Sequence, residues 1–244
     1  KDYRTVQTAV VQPGTDPYRE KFDTAQRKTQ LAGFTALASQ IPSSAQLIVG
    51  PETMLPNGIW AHAFARSSEA RMLKRFLQAY PQSLFVGGAY LYQRVPAIID
   101  KPLYARPLGS SGDWFIYRNA AFALRQDTVL PFYFKQKLLP GTETLPFPSL
   151  TSWMAQFTAA PGGPDGMLSP GNHHPTYRLP GDTVDVAPLI CWESVFTYYP
   201  RRAVAQGAEI LAVLTNDGWW GNTPGYRQHL MYSQVQAISH RRSV

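Results

Sequence analysis

Val186-Ala187-Pro188-Leu189-Ile190 runs without a break into Cys191, and Ile210-Leu211-Ala212-Val213-Leu214 runs into Thr215-Asn216-Asp217. Two further runs end in the same way: Leu47-Ile48-Val49-Gly50-Pro51 on Glu52, and Leu130-Pro131-Phe132-Tyr133-Phe134 on Lys135. Apolar runs of strand length, each closed by a polar side chain, read as buried strands of an α/β sheet. Ligands of such sheets bind outside the strand ends, because rigid strands carry side chains from distant parts of the chain into one crevice. A carboxylate, an ammonium and a thiol can therefore meet although they lie far apart in sequence.

Working outward, strand-length runs alternate with amphipathic stretches, the pattern of an α/β domain. Thr5 to Val11 reads as a first strand, closed by Pro13-Gly14. Lys21 to Gln40 reads as a helix with Leu31, Phe34, Leu37 and Ala38 at core spacing, and Ala63 to Ala79 as a second helix stopped by Pro81. Leu84 to Tyr92 and Trp114 to Arg125 read as strands separated by a Pro/Gly/Ser-rich loop over 93–113. Gly and Pro recur from Gly141 to Gly181, and the stretches 93–113 and 149–175 are the candidates for movable loops. Val184 to Ile190 and Ile210 to Leu214 close the strand set, with helices over Pro200–Gln206 and Arg227–His240. Neither an internal repeat nor a domain boundary is visible, so 1–244 reads as one domain.

The chain has 244 residues, 44% hydrophobic and 16% charged, a globular composition with a large core. Its net charge of +7 favours anionic partners, but the basic residues are scattered, and pairs such as Arg201-Arg202 and Arg241-Arg242 make no nucleic-acid motif. No apolar run approaches the ~20 residues needed to cross a bilayer. The chain starts without Met and stops directly after a helical pattern, so it reads as a piece excised from a longer protein. The single cysteine, Cys191, excludes an intrachain disulfide.

A lone cysteine is more often a small buried hydrophobe than a nucleophile, and its company decides between the two. A thiol attacks as thiolate and needs a base or a cation beside it. Glu52 can take the proton, Lys135 can favour the thiolate, and the same ammonium can stabilise the oxyanion of a tetrahedral intermediate. Glu143 can orient Lys135 or assist proton transfer, and Glu193 can position the turn after the strand; it can equally be a carboxylate at the start of the next helix. His62, His173, His174, His229 and His240 are available for a Cys–His dyad, but none sits in a local signature. The adjacent His173-His174 read as solvent-facing, with no zinc spacing and no phosphate-binding glycine loop. No metal or cofactor is expected.

At these residues the sequence resembles the nitrilase (carbon–nitrogen hydrolase) superfamily, and within it the catalytic domain of the apolipoprotein N-acyltransferases. The resemblance rests on Pro51-Glu52-Thr53, Lys135 to Glu143, Ile190-Cys191-Trp192-Glu193, Thr215 to Asn222 and Arg227-Gln228-His229-Leu230, all in order. It implies an αββα sandwich and an acyl transfer through a cysteine thioester, with Glu52, Lys135 and Cys191 as the triad and Glu143 as a second active-site glutamate. Glu193, Trp192, Asn216, Trp219 and Trp220 are the supporting or substrate-binding candidates. The implied substrates are a phospholipid acyl donor and the N-terminal diacylglyceryl-cysteine of a lipoprotein, met at a membrane surface, with no nucleic acid. The implied setting is the inner membrane, with the domain facing the periplasm, joined to an upstream membrane-spanning region and followed by a further strand. Trp60, Phe64, Trp153, Phe157, Trp219 and Trp220 are candidates for a greasy rim. The alternative on the same triad is a soluble nitrilase-like amidase that hydrolyses a small C–N bond.

Overall fold

A computed structural model describes residues 4–17, 20, 27–96, 104–109, 112–145, 147 and 167–244. Its strands are β1 (Thr8–Val10), β2 (Leu47–Val49), β3 (Leu55–Trp60), β4 (Leu84–Val95), β5 (Arg106–Pro107), β6 (Trp114–Arg125), β7 (Thr128–Val129), β8 (Tyr133–Phe134), β9 (Tyr177–Arg178), β10 (Asp185–Ile190) and β11 (Ile210–Leu214). The α-helices are α1 (Arg27–Ala38), α2 (Ser68–Leu77), α3 (Tyr198–Ala205) and α4 (Gly225–His240).

Two sheets share the strands. The larger runs β1-β2-β4-β6-β5, with β3 beside β4 and both β7 and β8 beside β6; the smaller runs β11-β10-β9. Side chains alternate across a strand, so each run serves two layers at once. Leu47 and Val49 of β2, Leu84 and Val86 of β4, and Ala121 and Ala123 of β6 meet Val186 and Ile190 of β10 and Leu214 of β11 between the sheets. Ile48, Phe85, Ala120, Phe122 and Leu124 point the other way, onto Leu31, Phe34 and Ala38 of α1 and Leu73 and Leu77 of α2. On the far side, Ala187, Leu189 and Leu211 pack against Ala203 of α3. The layers are therefore αββα, as the resemblance implies. Each fully buried Leu, Ile or Phe contributes about 1.5–3 kcal/mol, so the continuous apolar runs are what hold the sheets together.

Several local expectations change. The second helix is broken: residues Ala61–Arg66 form a 3₁₀ segment, and Ser67 starts α2 by accepting a hydrogen bond from Ala70 N at 3.0 Å. That serine satisfies an otherwise orphaned helix donor, a stop-and-restart signal stronger than the hydrophobic spacing. Leu37 faces outward rather than into the core, and residues 21–26 of the expected first helix lie outside the described residues. β4 extends into the expected loop as far as Val95, and β5 falls inside it.

β3 has no counterpart in the sequence reading, and it matters most for the site. β2 and β3 both run parallel to β4, pairing with Leu84–Val86 and with Ala89–Tyr92 respectively. The strand in effect stops at Val49 and resumes at Leu55, and Glu52 occupies the interruption. Gly50 N donates to Val86 O and Gly88 N to Pro51 O, which clamps the break to β4. A Cβ at Gly88 would run into Thr53 N, so glycine is required there for close backbone approach.

Candidate active site

Glu52, Lys135 and Cys191 leave β2, β8 and β10 at the same end of the two facing sheets. Lys135 is buried, and its Nζ lies 3.2 Å from Glu52 Oε1 and 2.9 Å from Glu143 Oε1. Burial opposes the ammonium, but the carboxylates of Glu143 and then Glu52 outweigh it and hold the lysine charged well above its ordinary pKa. Glu143 comes from the turn after Pro140, where Leu139 N donates to its Oε2 at 2.8 Å.

Cys191 sits in the left-handed region, with φ 46°, immediately after β10. A non-glycine residue held there marks a constrained position. Burial, followed by the negative charge of Glu52, pushes its thiol up to about 12, while Lys135 and a hydrogen bond with the Thr215 side chain work in the opposite direction. The resting group is therefore a thiol, not a preformed thiolate. Ionisation has to accompany attack, with a base at hand, and Glu52 is the carboxylate whose charge the thiol feels most strongly.

Asn119 is the residue that the sequence reading missed. Its Nδ2 donates to Glu52 Oε1 at 2.8 Å and to Glu143 Oε1 at 3.0 Å, so one amide holds both carboxylates around the lysine. Its backbone carbonyl accepts from Lys135 N at 2.8 Å. An amide next to Arg118 in the mostly apolar stretch Ile116–Leu124 was the available signal, because a buried amide needs partners.

Glu193 does more than steady the turn after β10. It is fully buried; its Oε2 accepts from Ile190 N at 2.8 Å. Its Oε1 accepts from Tyr133 Oη at 2.6 Å, Gln136 N at 2.6 Å and Lys137 N at 3.2 Å. One carboxylate thus ties the backbone just after Lys135, and the Tyr133 side chain before it, to the strand that carries Cys191. Burial raises its pKa, against the hydrogen bonds from Tyr133, Ile190 and Gln136.

The remaining candidates divide. Asn216 caps the 3₁₀ turn Asp217–Trp220 by accepting from Gly218 N, and lines a crevice of about 30 Å³ beside Glu52, Met54 and Phe34. Trp192 packs edge-on against Phe196, Trp219 is half-buried, and Trp220 is exposed and covers Gly225. Trp60 joins Tyr92 and Phe115 in a half-buried aromatic group. Phe64 is not on a rim: it is wholly buried against Phe122 and Phe132, because the 3₁₀ segment turns it inward. Trp153 and Phe157 lie outside the described residues.

His174 also departs from expectation. It is buried, stacks on Tyr133 and bonds to Pro188 O through Nε2 at 3.0 Å, and burial lowers its pKa to about 4. In the expected movable stretch 149–175, the described part packs on the site: Leu168 N donates to Glu143 O and Gly171 N to Lys135 O. A void of about 830 Å³ between β1 and β11 touches the site only through Thr215, Asp217 and His229. Among the described residues no group of His, Cys, Asp and Glu is arranged to hold a metal ion.

In curated sequences, the chain is 26% identical over 245 residues to an apolipoprotein N-acyltransferase of Chlorobaculum tepidum, covering 98% of this chain and 44% of that protein. It is 28% identical over 218 residues to one of Pseudomonas syringae pv. tomato, covering 89% of this chain and 38% of that protein. The chain thus spans less than half the length of these relatives. An amidase from Nesterenkonia sp. superposes with a TM-score of 0.53 at 15% identity, over 97% of this chain and 73% of that one. A carbon–nitrogen hydrolase from Helicobacter pylori superposes with a TM-score of 0.54 at 14% identity, over 96% and 68%. These two likenesses speak for the fold alone. The family model for carbon–nitrogen hydrolases matches residues 7–241, nearly the whole length, and the chain belongs to that family.

Proposed function

We propose that this chain is the catalytic domain of an apolipoprotein N-acyltransferase, working by a cysteine thioester. The observation that carries the chemistry is the buried lysine held between two glutamates at the strand end that Cys191 shares. Glu52 takes the thiol proton as Sγ attacks the ester carbonyl of a phospholipid. Lys135 faces the developing oxyanion, a contribution of about 3–4 kcal/mol for one donor. When the tetrahedral intermediate collapses, the C–O bond breaks, the lysophospholipid oxygen takes the proton from Glu52, and the acyl group remains on Sγ. The α-amine of a diacylglyceryl-cysteine then attacks the thioester, Glu52 accepts the amine proton, and the thiol is restored. Glu143 and Asn119 hold the lysine and Glu52 in register, while Glu193 fixes the lysine's backbone.

The names of the relatives support the acceptor, and a net charge of +7 suits an anionic bilayer surface. Such substrates put the domain at the periplasmic face of the inner membrane. Among the described residues no helix is long and apolar enough to cross a membrane.

The test is intact-mass measurement after incubation with phospholipid in mixed micelles. An acyl-sized adduct that hydroxylamine removes and that Cys191→Ala lacks is the expected result. Ammonia release from small amides with no lipid adduct would overturn the proposal in favour of a small-amide hydrolase.

A further inference from the structure

His229 has no part in the reaction described above, yet it is buried against the nucleophile's own backbone. It projects from α4. Its Nδ1 lies 2.8 Å from Asp217 Oδ1, and its Nε2 lies 3.1 Å from Cys191 O and 2.9 Å from Ser194 Oγ. Ser194 Oγ in turn donates to Cys191 O at 2.8 Å. The hydrogen inventory is restrictive. A peptide carbonyl and a carboxylate only accept, and the one hydroxyl hydrogen of Ser194 is directed at Cys191 O. With that hydrogen on Cys191 O both ring nitrogens donate, Nδ1 to Asp217 and Nε2 to the pair formed by Ser194 Oγ and Cys191 O; a neutral ring protonated at Nδ1 would need the Ser194 hydrogen turned to Nε2, which leaves Cys191 O facing a lone pair at 3.1 Å. A neutral ring would leave an imidazole lone pair facing either the carboxylate or the carbonyl.

We infer that His229 is a positioning residue: as an imidazolium anchored by Asp217, it grips the carbonyl of Cys191 and holds the left-handed turn that aims the thiol at Glu52 and Lys135. The inference rests on Cys191 being the nucleophile. The turn needs such a grip, because φ 46° at a non-glycine residue is a conformation that persists only when its surroundings impose it. Asp217 also accepts from Thr215 Oγ1 at 3.0 Å, and the Thr215 side chain bonds to the thiol, so one carboxylate braces both the backbone and the Sγ of Cys191.

The charged and titratable groups facing the ring are Asp217 from the 3₁₀ turn after β11, Glu52 from the break between β2 and β3, and Cys191 itself. Arg4, Glu209, Arg241 and Arg242, which line the same void, lie towards the opposite end of β11. Burial disfavours the charged ring, but Asp217, Cys191 O and Glu52 together raise its pKa above the ordinary value. The sign follows: the grip is complete at low pH and is lost as pH rises through that raised value.

Two measurements test this. In ¹⁵N-labelled protein, with His229→Gln used to assign the signals, both ring nitrogens should show imidazolium shifts at low pH and titrate with a midpoint above about 6.5. A midpoint at or below about 6.5 overturns the inference without any variant having to fold. The second is the single-turnover burst of p-nitrophenolate from p-nitrophenyl octanoate over pH 6–9. His229→Gln should slow the burst by on the order of 10²-fold, the cost of displacing a reacting atom by ~1 Å. The wild-type-to-variant ratio should hold constant at low pH and fall with the midpoint seen by NMR. A ratio that is flat across the range would make His229 merely structural and overturn the inference. No burst in the wild type, or one that Cys191→Ala retains, would instead remove Cys191 as nucleophile.

Discussion

Replacing Glu193 by Gln tests whether one buried carboxylate joins the two halves of the site. The amide keeps the shape but has a single acceptor oxygen. Its better orientation leaves that oxygen with Tyr133 Oη, Gln136 N and Lys137 N and turns the NH₂ towards Ile190 N, so two buried donors face each other. A hydrogen bond to a charged group contributes about 1.5–3 kcal/mol, and an unsatisfied buried donor costs about 1–3 kcal/mol. Burial already raises the pKa of Glu193, so part of the ionised form's advantage is cancelled in the native protein. The net destabilisation should therefore be about 2–4 kcal/mol, not the full sum. That leaves a domain with a typical ~5–15 kcal/mol folded, and lowers Tm by about 4–16 °C at this size. Urea denaturation followed by tryptophan fluorescence reads the first quantity and calorimetry the second. The ester burst should fall as well, because Gln136 N and Lys137 N fix the backbone of Lys135. A change below about 0.5 kcal/mol with an intact burst would refute the reasoning, since it would mean that the four bonds are not holding the lysine segment to β10.

Glu52→Gln should separate two reactivities of Cys191. With the neighbouring negative charge removed, the thiol ionises more easily, so alkylation by iodoacetamide at pH 8–9 should speed up severalfold. The ester burst should drop by ~10²-fold or more for want of a base; slower alkylation would show that Glu52 does not hold the thiol protonated. His174 should make the fold acid-sensitive. Its folded pKa of about 4 lies below the ordinary value of about 6.5, so the unfolded chain binds the extra proton as pH falls. Its contribution is complete above pH ~6.5 and is lost towards pH ~4, a change of about 3 kcal/mol in urea-derived stability that His174→Gln should flatten.

The strands that carry chemistry could be read from sequence because their two faces are both buried. Leu47–Val49, Trp114–Arg125 and Ile210–Leu214 have the expected bounds. Sandwiched strands must be apolar on both sides, and their polar ends stand out against that background. β3 was hidden by Pro56, Asn57 and Gly58, which argue against a strand. It forms because β4 continues past β2 and offers an unpaired edge, a condition that no local pattern encodes. Phe64 and His174 looked like surface residues for the same reason, since burial was decided by the 3₁₀ turn of one and the Tyr133 face against the other.

The sequence by itself determined the cast: a thiol, an ammonium and carboxylates at strand ends, in an order that marks the family. It could do so because rigid strands make position along the chain equivalent to position in space. What only the tertiary structure decided is how those groups are held. Asn119 bridges two glutamates, Glu193 pins the backbone just after the lysine to β10, and His229 reaches back to the carbonyl of Cys191. These are bonds between side chains and distant backbone, fixed by how the layers stack. A hydrogen-bond partner across two sheets leaves no period and no spacing in the chain.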